Sequence, residues 1–249
     1  ITVTVDGTQV LSPTLPSGTI PPSVLVAFTG ANGTATDNHV ITTGSFTGGG
    51  APIPPPGGGW SYNGSAALAG SQTFLTKAVA NQAGTVVYPV PVQTAGLTVT
   101  VNLQMYGGTN GFGLTFALLN PSSESATAVG AGGPQLGFGG LNGVAAALIS
   151  HYYAGYPSGN FPGVSAGTNG TILTFQKWAR NIGPLRTGTH TMTVQVTSSD
   201  VLVVWVDGEQ IMQVQETGLP STALLAFTAS TGTTYGNNVI RNIAISAAG

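Results

Sequence analysis

Residues 95–119 read AGLTVTVNLQMYGGTNGFGLTFALL, and they decide the fold class. Apolar and polar residues alternate with period two over Ala95–Met105, as in a β-strand with one buried face. Gly111–Leu119 is an apolar run, which favours a strand that is covered on both faces. The residues between them are mostly glycine and small polar residues. The stretch therefore predicts two short strands separated by a Gly-rich turn.

The same patterns recur along the rest of the chain. Gly143–Ile149 is a second apolar run, and Thr189–Thr197 and Val201–Val206 alternate again. No window keeps helical spacing over three turns with capping residues. Many short strands joined by Gly-rich turns predict an all-β fold, a two-sheet antiparallel β-sandwich.

An internal repeat divides the chain. Residues 1–41 resemble residues 202–240, and Asp6-Gly7 matches Asp207-Gly208. Asp-Gly between alternating apolar residues is a strong hairpin signal, so equivalent hairpins are predicted. We predict three parts: a partial repeat of the C-terminal strands at 1–46, a Gly/Pro linker at 47–59, and a complete sandwich at 60–249. The first part either packs on a domain, pairs with another chain in self-association, or marks a fragment boundary.

Composition excludes several classes of partner. Charged residues make up 5% of the chain, and the net charge is −2, so nothing indicates a nucleic-acid interface. The absence of cysteine excludes disulfides and cysteine-ligated metal. No apolar run approaches the ~20 residues that span a bilayer, so membrane insertion is not expected. We expect a secreted or cell-surface protein, or alternatively one on a virion surface.

Three segments in order carry a resemblance: GFGLTFALLNP at 111–121, GGPQLGFGGLNGVA at 132–145 and NFPGV at 160–164. Together they are similar to the L-type (legume-like, concanavalin-like) lectin domain, in a bacterial or phage branch. The resemblance implies a jelly-roll sandwich over about 60–249 whose loops bind sugar beside Ca²⁺ and a transition metal. The family's acidic residues fall on Phe112, Ala147 and Ile149 here, so we expect no metal and no other cofactor.

Aromatic and amide residues are expected to converge at one end of such a sandwich. Rings suit the apolar face of a sugar, and amides suit its hydroxyls. The candidate ligand-binding residues are Asn110, Phe112, Gly133, His151, Tyr152, Tyr153, Tyr156, Asn160, Thr233, Tyr235 and Asn237. We predict a metal-independent lectin-like module for a neutral carbohydrate, for instance a cell-surface glycan. Alternatively, the tyrosines only pack a long loop onto the sheet.

A different class of function stays open. The chain could be a structural repeat of an adhesin, a filament or a phage tail appendage, assembled through strand pairing. Catalysis is not expected. Gly163–Gly167 (GVSAG) matches the nucleophile-elbow pattern around Ser165, but loop-like residues flank it on both sides, where the elbow needs a strand and a helix.

Overall fold

A computed structural model describes residues 3–5, 8–14, 50–52, 59–157, 159–169, 171–179 and 182–248. The chain divides into two compact units, residues 1–46 and residues 47–249. In the first unit, β1 (Val3–Val5) pairs antiparallel with β2 (Thr8–Leu11). The predicted Asp6-Gly7 turn and the rest of the repeat beyond residue 14 lie outside the described residues.

The second unit is made almost entirely of strands. In chain order they are β3 Gly50–Pro52, β4 Ser61–Gly64, β5 Ala67–Ala69, β6 Gln72–Thr76, β7 Ala83–Gln93, β8 Thr98–Tyr106, β9 Gly113–Leu119, β10 Gly143–Ile149, β11 Phe161–Asn169, β12 Ile172–Trp178, β13 His190–Val196, β14 Val201–Val206, β15 Glu209–Gln215, β16 Thr222–Ser230 and β17 Asn237–Ala248.

These strands form two sheets in which every pairing is antiparallel. The seven-stranded sheet has the order β12-β11-β10-β9-β16-β7-β4. The eight-stranded sheet has the order β15-β14-β13-β8-β17-β6-β5, and β3 pairs with the end of β17. The predicted all-β, two-sheet architecture is confirmed. Strand β3 lies inside the stretch that we predicted as a Gly/Pro linker.

Periodicity located the strands well. The predicted segments Gly143–Ile149 and Val201–Val206 are β10 and β14, with the same bounds. Strand β8 begins three residues later than predicted, at Thr98, because the Leu97 N–H bonds to Thr94 O in a turn. Strand β9 begins two residues later than predicted, at Gly113.

The main hydrophobic core lies between the two sheets. On β8, Val99, Val101 and Leu103 are buried, while Thr100 and the other alternate residues lie on the outer face. Thr100 Oγ1 is 3.0 Å from Thr193 Oγ1 on β13, so outward side chains pair across strands. This arrangement explains the period-two pattern of the sequence.

A second apolar cluster covers the outer face of the seven-stranded sheet. Ala117 and Leu119 of β9 belong to this cluster, whereas Phe116 belongs to the main core. Leu136 and Phe138, from the loop before β10, cover the outer face. Strand β9 is therefore buried on both faces, as its apolar run predicted. The same covering loop leads to the candidate site.

Helical structure is confined, in the part of the chain that is described, to one 3-10 turn at Gly133–Gln135. None of the helical segments found there has the length and apolar character that a membrane span requires.

Candidate functional site

Strand ends bring several loops together at one end of the sandwich. Ser230 of β16 pairs with Gly113 of β9, and Gly113 pairs with Ile149 of β10. The loops next to these residues therefore lie side by side. We call this region the loop end; its segments are residues 107–112, 130–141, 150–160 without residue 158, 182–189 and 231–236.

Phe112 contacts residues of several loop-end segments. Its ring contacts His151 and Tyr153 edge-on, at centroid distances of 5.5 and 5.7 Å. A Cβ added to Gly232 would lie 3.1 Å from the Phe112 ring and 3.6 Å from Gly133 Cα. Phe112 is only 3% exposed, so it supports the surrounding loops. Its direct contact with a ligand stays a prediction, and its low exposure favours an indirect role.

Tyr156 is also a supporting residue and not part of the surface. It is 6% exposed, and its hydroxyl donates to Pro134 O and accepts from the Leu173 N–H at 2.9 Å. Burial raises the pKa of Tyr156 to about 12. The Tyr156 ring lies 5.3 Å from the ring of Phe175. These partners occupy the hydroxyl, so they favour a supporting role over the predicted contact with a ligand.

Backbone contacts join the 107–112 and 231–236 segments. The Thr109 N–H donates to Tyr235 O at 2.8 Å, and the Tyr235 N–H donates to Thr109 Oγ1 at 3.2 Å. Gly108 has a φ of +63°, and a Cβ there would lie 2.2 Å from Tyr235 O. Only glycine permits both this conformation and this close approach. The two segments therefore form one tightly packed unit.

Asn237 is engaged by the protein. Its Nδ2 donates to Tyr106 O at 3.3 Å, and its Oδ1 accepts from the Ala78 N–H at 3.0 Å. Its amide fixes the start of β17 between neighbouring segments, while its contact with a ligand stays a prediction. Tyr106 itself is 41% exposed beside this amide, and sequence reasoning missed it as a candidate ring.

The remaining predicted residues reach the surface to different degrees. Tyr152 is 57% exposed, which makes it the most accessible ring of the loop end. Asn110 and Thr233 are exposed, and His151, Tyr153, Asn160, Tyr235 and Gly133 are half-buried. Asn110 adopts a φ of +80°. A Cβ added to Gly133 would meet no atom within 4 Å, so this glycine borders open space. We call Asn110, Gly133, Tyr152, Thr233 and Tyr235 the rim.

One charged side chain, Arg186, lies at the loop end, and sequence reasoning missed it. Its guanidinium donates to Gly107 O and lies against Gly236, where an added Cβ would be 3.0 Å from Nη1. Burial, and secondarily the positive charge of Arg186, lower the pKa of His151 from its ordinary value. This shift favours the neutral form of His151 at pH 7. The one sequence feature that could have pointed to Arg186 is its charge, because the chain has only five Lys and Arg residues.

The residues present do not fit a hard metal cation. Ala147 and Ile149 occupy positions where the resemblance implies acidic ligands, and both are buried in the second apolar cluster. The described residues contain no group of three or more His, Cys, Asp or Glu that could hold a metal ion. Calcium needs six to eight oxygen ligands, usually with carboxylates among them. Carbon side chains at these positions supply none.

Ser165 lies in the middle of β11, where the sequence suggested loops on both sides. It is fully buried, and its Oγ donates to Gly167 O at 2.8 Å within the same strand. A nucleophile elbow needs a sharp turn between a strand and a helix, with the hydroxyl exposed. The GVSAG segment has neither feature.

Solved structures with a similar fold include plant lectins and the VIP36 exoplasmic/lumenal domain. The VIP36 exoplasmic/lumenal domain in its Ca²⁺/Man-bound form gives a TM-score of 0.61 at 17% identity, covering 76% of this chain and 82% of that chain. The metal-free lectin I-B4 from Griffonia simplicifolia gives 0.63 at 19% identity, covering 77% and 94%. The Bauhinia forficata lectin in complex with GalNAc gives 0.61 at 16% identity, covering 76% and 93%.

No protein-family model matches this sequence, and no curated protein matches it either. At identities below one fifth, the structural similarity concerns the fold alone. The chain therefore has the L-type lectin fold that its motifs predicted.

Proposed function

We propose that this chain is a carbohydrate-binding module that holds a neutral sugar unit on the rim without a bound metal ion. One observation carries the proposal: Tyr152 is 57% exposed in a loop-end segment, and the other exposed or half-buried rim side chains, those of Asn110, Thr233 and Tyr235, are uncharged and polar. Solved lectins of the same fold bind mannose or GalNAc, as in the VIP36 domain and the Bauhinia forficata lectin. We infer a glycan ligand for this chain from that shared architecture.

The rim groups match the two kinds of sugar surface. The Tyr152 ring can stack on the C–H face of a pyranose, because aromatic faces favour such contacts. The Asn110 amide can both donate to and accept from a pair of sugar hydroxyls. The Thr233 hydroxyl and the backbone of Gly133 add further polar partners beside open space. This combination suits an uncharged sugar unit.

Packing supplies the order that a metal ion would give to loops. Phe112 contacts two residues of the 150–160 segment, and Tyr156 bonds to two separate backbone groups. Ser230 Oγ donates to Gly133 O, which fixes the glycine of the rim to the end of β16. Because these contacts use only rings, hydroxyls and backbone groups, they persist in a chelator.

A glycan array tests the proposal directly. The labelled chain is applied with EDTA present, beside the variants Tyr152→Ala and Val90→Ala. Val90 is a matched control, because it is 51% exposed on β7 and lies toward the end of that strand opposite the loop end. We expect wild type and Val90→Ala to bind the same glycans and Tyr152→Ala to lose them. No binding by wild type, or binding that requires added Ca²⁺, would refute the proposal.

We also propose, as a second function, that residues 1–46 mediate assembly with another lectin-like sandwich. Val3↔Leu11, Thr4↔Gln9 and Val5↔Thr8 pair across the first hairpin, with a register shift after Val3. The β14–β15 hairpin pairs Val204↔Met212, Trp205↔Gln210 and Val206↔Glu209, with its shift after Val204. The two hairpins thus share pairing and irregularity at an offset of 201 residues, since 204 − 3 and 212 − 11 both equal 201.

The difference in burial supports this second function. Leu11 is 55% exposed, whereas its counterpart Met212 is 4% exposed. An apolar hairpin that is equivalent to a core hairpin favours a partner that covers it. Light scattering on the full chain and on residues 47–249 tests this. We expect the full chain to self-associate and the shorter chain to be monomeric. The same oligomeric state for both chains would contradict the proposal.

We propose further that the chain acts outside the cell or at the cell surface and does not catalyse a reaction. An uncharged rim without carboxylates supports binding over glycoside hydrolysis, which uses a pair of carboxyl groups. Incubating the array glycans with the chain and analysing them by mass spectrometry tests this. Cleaved or modified glycans would contradict it.

A further inference from the structure

Arg186 is the only Lys or Arg in the five segments of the loop end, and these segments contain no Asp or Glu. Arg186 therefore supplies the one permanent charge of these segments, since a guanidinium stays protonated at pH 7. No carboxylate of the described residues forms an ion pair with Arg186. Among the residues that the structure describes, the guanidinium thus has no counter-ion.

The position of Arg186 places this charge beside the rim. Its guanidinium bonds to Gly107 O and packs on Gly236, and these glycines flank the joined segments that carry Asn110 and Tyr235. His151, the neighbour of Tyr152, is close enough for the charge of Arg186 to act on it. The cation therefore lies next to the surface that we propose for the sugar.

Most of the hydrogen-bonding capacity of Arg186 remains available. A guanidinium has five N–H donors in a planar fork. Among the described residues, Arg186 makes one hydrogen bond, in which its guanidinium donates to Gly107 O. Partial burial lowers the pKa of Arg186 and no carboxylate offsets it, which indicates a partly desolvated cation. Such a group gains from an anionic partner, because charge–charge attraction strengthens as water is removed.

We propose that Arg186 makes this module prefer glycans in which the sugar on the rim is next to a carboxylate-bearing unit, such as a uronic acid. The neutral face of the glycan lies on Tyr152, and the carboxylate accepts hydrogen bonds from the guanidinium, the pairing in which Arg binds most strongly. This inference rests on the proposed glycan-binding function. It adds an acidic group to the ligand, which sequence analysis expected to be neutral.

Paired oligosaccharides test the preference. Each pair differs only at the terminal hexose, which is either neutral or oxidised at C6 to the uronic acid. We expect wild type to bind the acidic member about tenfold more tightly, the effect of one charge-assisted hydrogen-bond pair. The preference should fall as salt concentration rises, because ions screen a partly exposed charge.

Three variants separate the charge from other roles. Arg186→Gln removes the cation, Arg186→Lys keeps the charge without the planar fork, and Lys177→Gln makes the same change in net charge at a residue that bonds to Gln213 O on another edge. We expect Arg186→Gln to bind both members equally, at the wild-type affinity for the neutral one. Arg186→Lys should keep part of the preference, and Lys177→Gln should keep all of it.

Each failure has a distinct meaning. If wild type binds neutral and acidic members alike, the role of Arg186 is refuted while the glycan-binding function stands. If Arg186→Gln weakens both members equally with an unchanged Tm, Arg186 only positions the loops, which also refutes the preference. If wild type binds neither member of any pair, both proposals fail. Should Arg186→Gln not fold, a wild-type preference that is insensitive to salt overturns the inference.

Discussion

Replacing Tyr156 with phenylalanine separates support of the loop end from contact with the ligand. The Tyr156 hydroxyl bonds to Pro134 O and to the Leu173 N–H, and the residue is only 6% exposed. Phenylalanine keeps the ring but leaves both backbone groups without this partner. We therefore expect Tyr156→Phe to lower stability while the rim keeps its shape.

The size of the effect follows from the two lost hydrogen bonds. Each contributes about 0.5–1.5 kcal/mol net, so the free energy of unfolding should fall by about 1–3 kcal/mol. In a domain of about 150–250 residues, 1 kcal/mol shifts Tm by about 2–4 °C. The Tm of Tyr156→Phe should therefore lie about 2–12 °C below that of wild type.

The raised pKa of Tyr156 adds a signature in alkaline solution. Burial favours the neutral phenol in the folded state, with a pKa of about 12 against an ordinary value of 10.0. The folded state therefore holds this proton more tightly, and its contribution to stability is lost as pH rises from about 10 to about 12. Tyr156→Phe lacks the group, so its Tm should fall less than that of wild type over this interval.

Calorimetry and glycan binding, measured together, decide the role of Tyr156. Well below Tm, Tyr156→Phe should bind the strongest array glycan within about twofold of wild type, whereas Tyr152→Ala should weaken binding about tenfold or more at an unchanged Tm. The reverse pattern, an unchanged Tm with weakened binding in Tyr156→Phe, would show that the hydroxyl contacts the sugar. It would refute the assignment of Tyr156 as a supporting residue.

Three other outcomes follow from the structure. Burial raises the pKa of Glu216, whose carboxyl bonds to the amide of Gln176, so wild type loses stability as pH rises and this group ionises. The Tm of Glu216→Gln relative to wild type should therefore increase from about pH 4 to pH 7. A difference in Tm that stays constant over this range would contradict this. Gly108→Ala should destabilise the chain and abolish glycan binding, because its Cβ would meet Tyr235 O. Gly208 also has a positive φ but borders open space, so Gly208→Ala should lower the free energy of unfolding by only about 1–2 kcal/mol and leave binding normal. Equal effects of the two variants would refute the close contact at Gly108. EDTA should leave the Tm of wild type unchanged, and a fall that added Ca²⁺ reverses would show that metal orders the loops.

Strand positions could be predicted because they depend on local periodicity. Val201–Val206 alternates and is β14, and Gly143–Ile149 is apolar and is β10, buried on both faces. Each pattern reflects which face of a strand is covered, and this is encoded within a few residues. The order of three motifs then predicted the L-type lectin fold.

Which residues of the loop end are buried and which reach the surface could not be predicted from local patterns. Phe112 and Tyr156 look like ligand-binding rings in the sequence, but distant segments cover both of them. Asn237 looks like a free amide, yet its partners are Tyr106, at the end of β8, and Ala78, in the segment between β6 and β7. The sequence places neither of them beside it. Burial of a loop residue depends on which loops the topology brings together.

Arg186 is a residue near the rim that the sequence patterns did not identify. It lies in the segment before β13, 34 positions after Tyr152 (186 − 152), and no motif links the two. Only the folded arrangement places its guanidinium on Gly107 O and within range of His151. A charged residue in so uncharged a chain was the one local hint, and it carried no information on position.

A crystal structure of the chelator-treated chain with its strongest array glycan tests the central claim most directly. We predict a pyranose stacked on the Tyr152 ring and hydrogen-bonded to Asn110 or Thr233, with no metal ion among the loops. A sugar bound at any other surface, or a cation found between the glycan and the 107–112 segment, would contradict it.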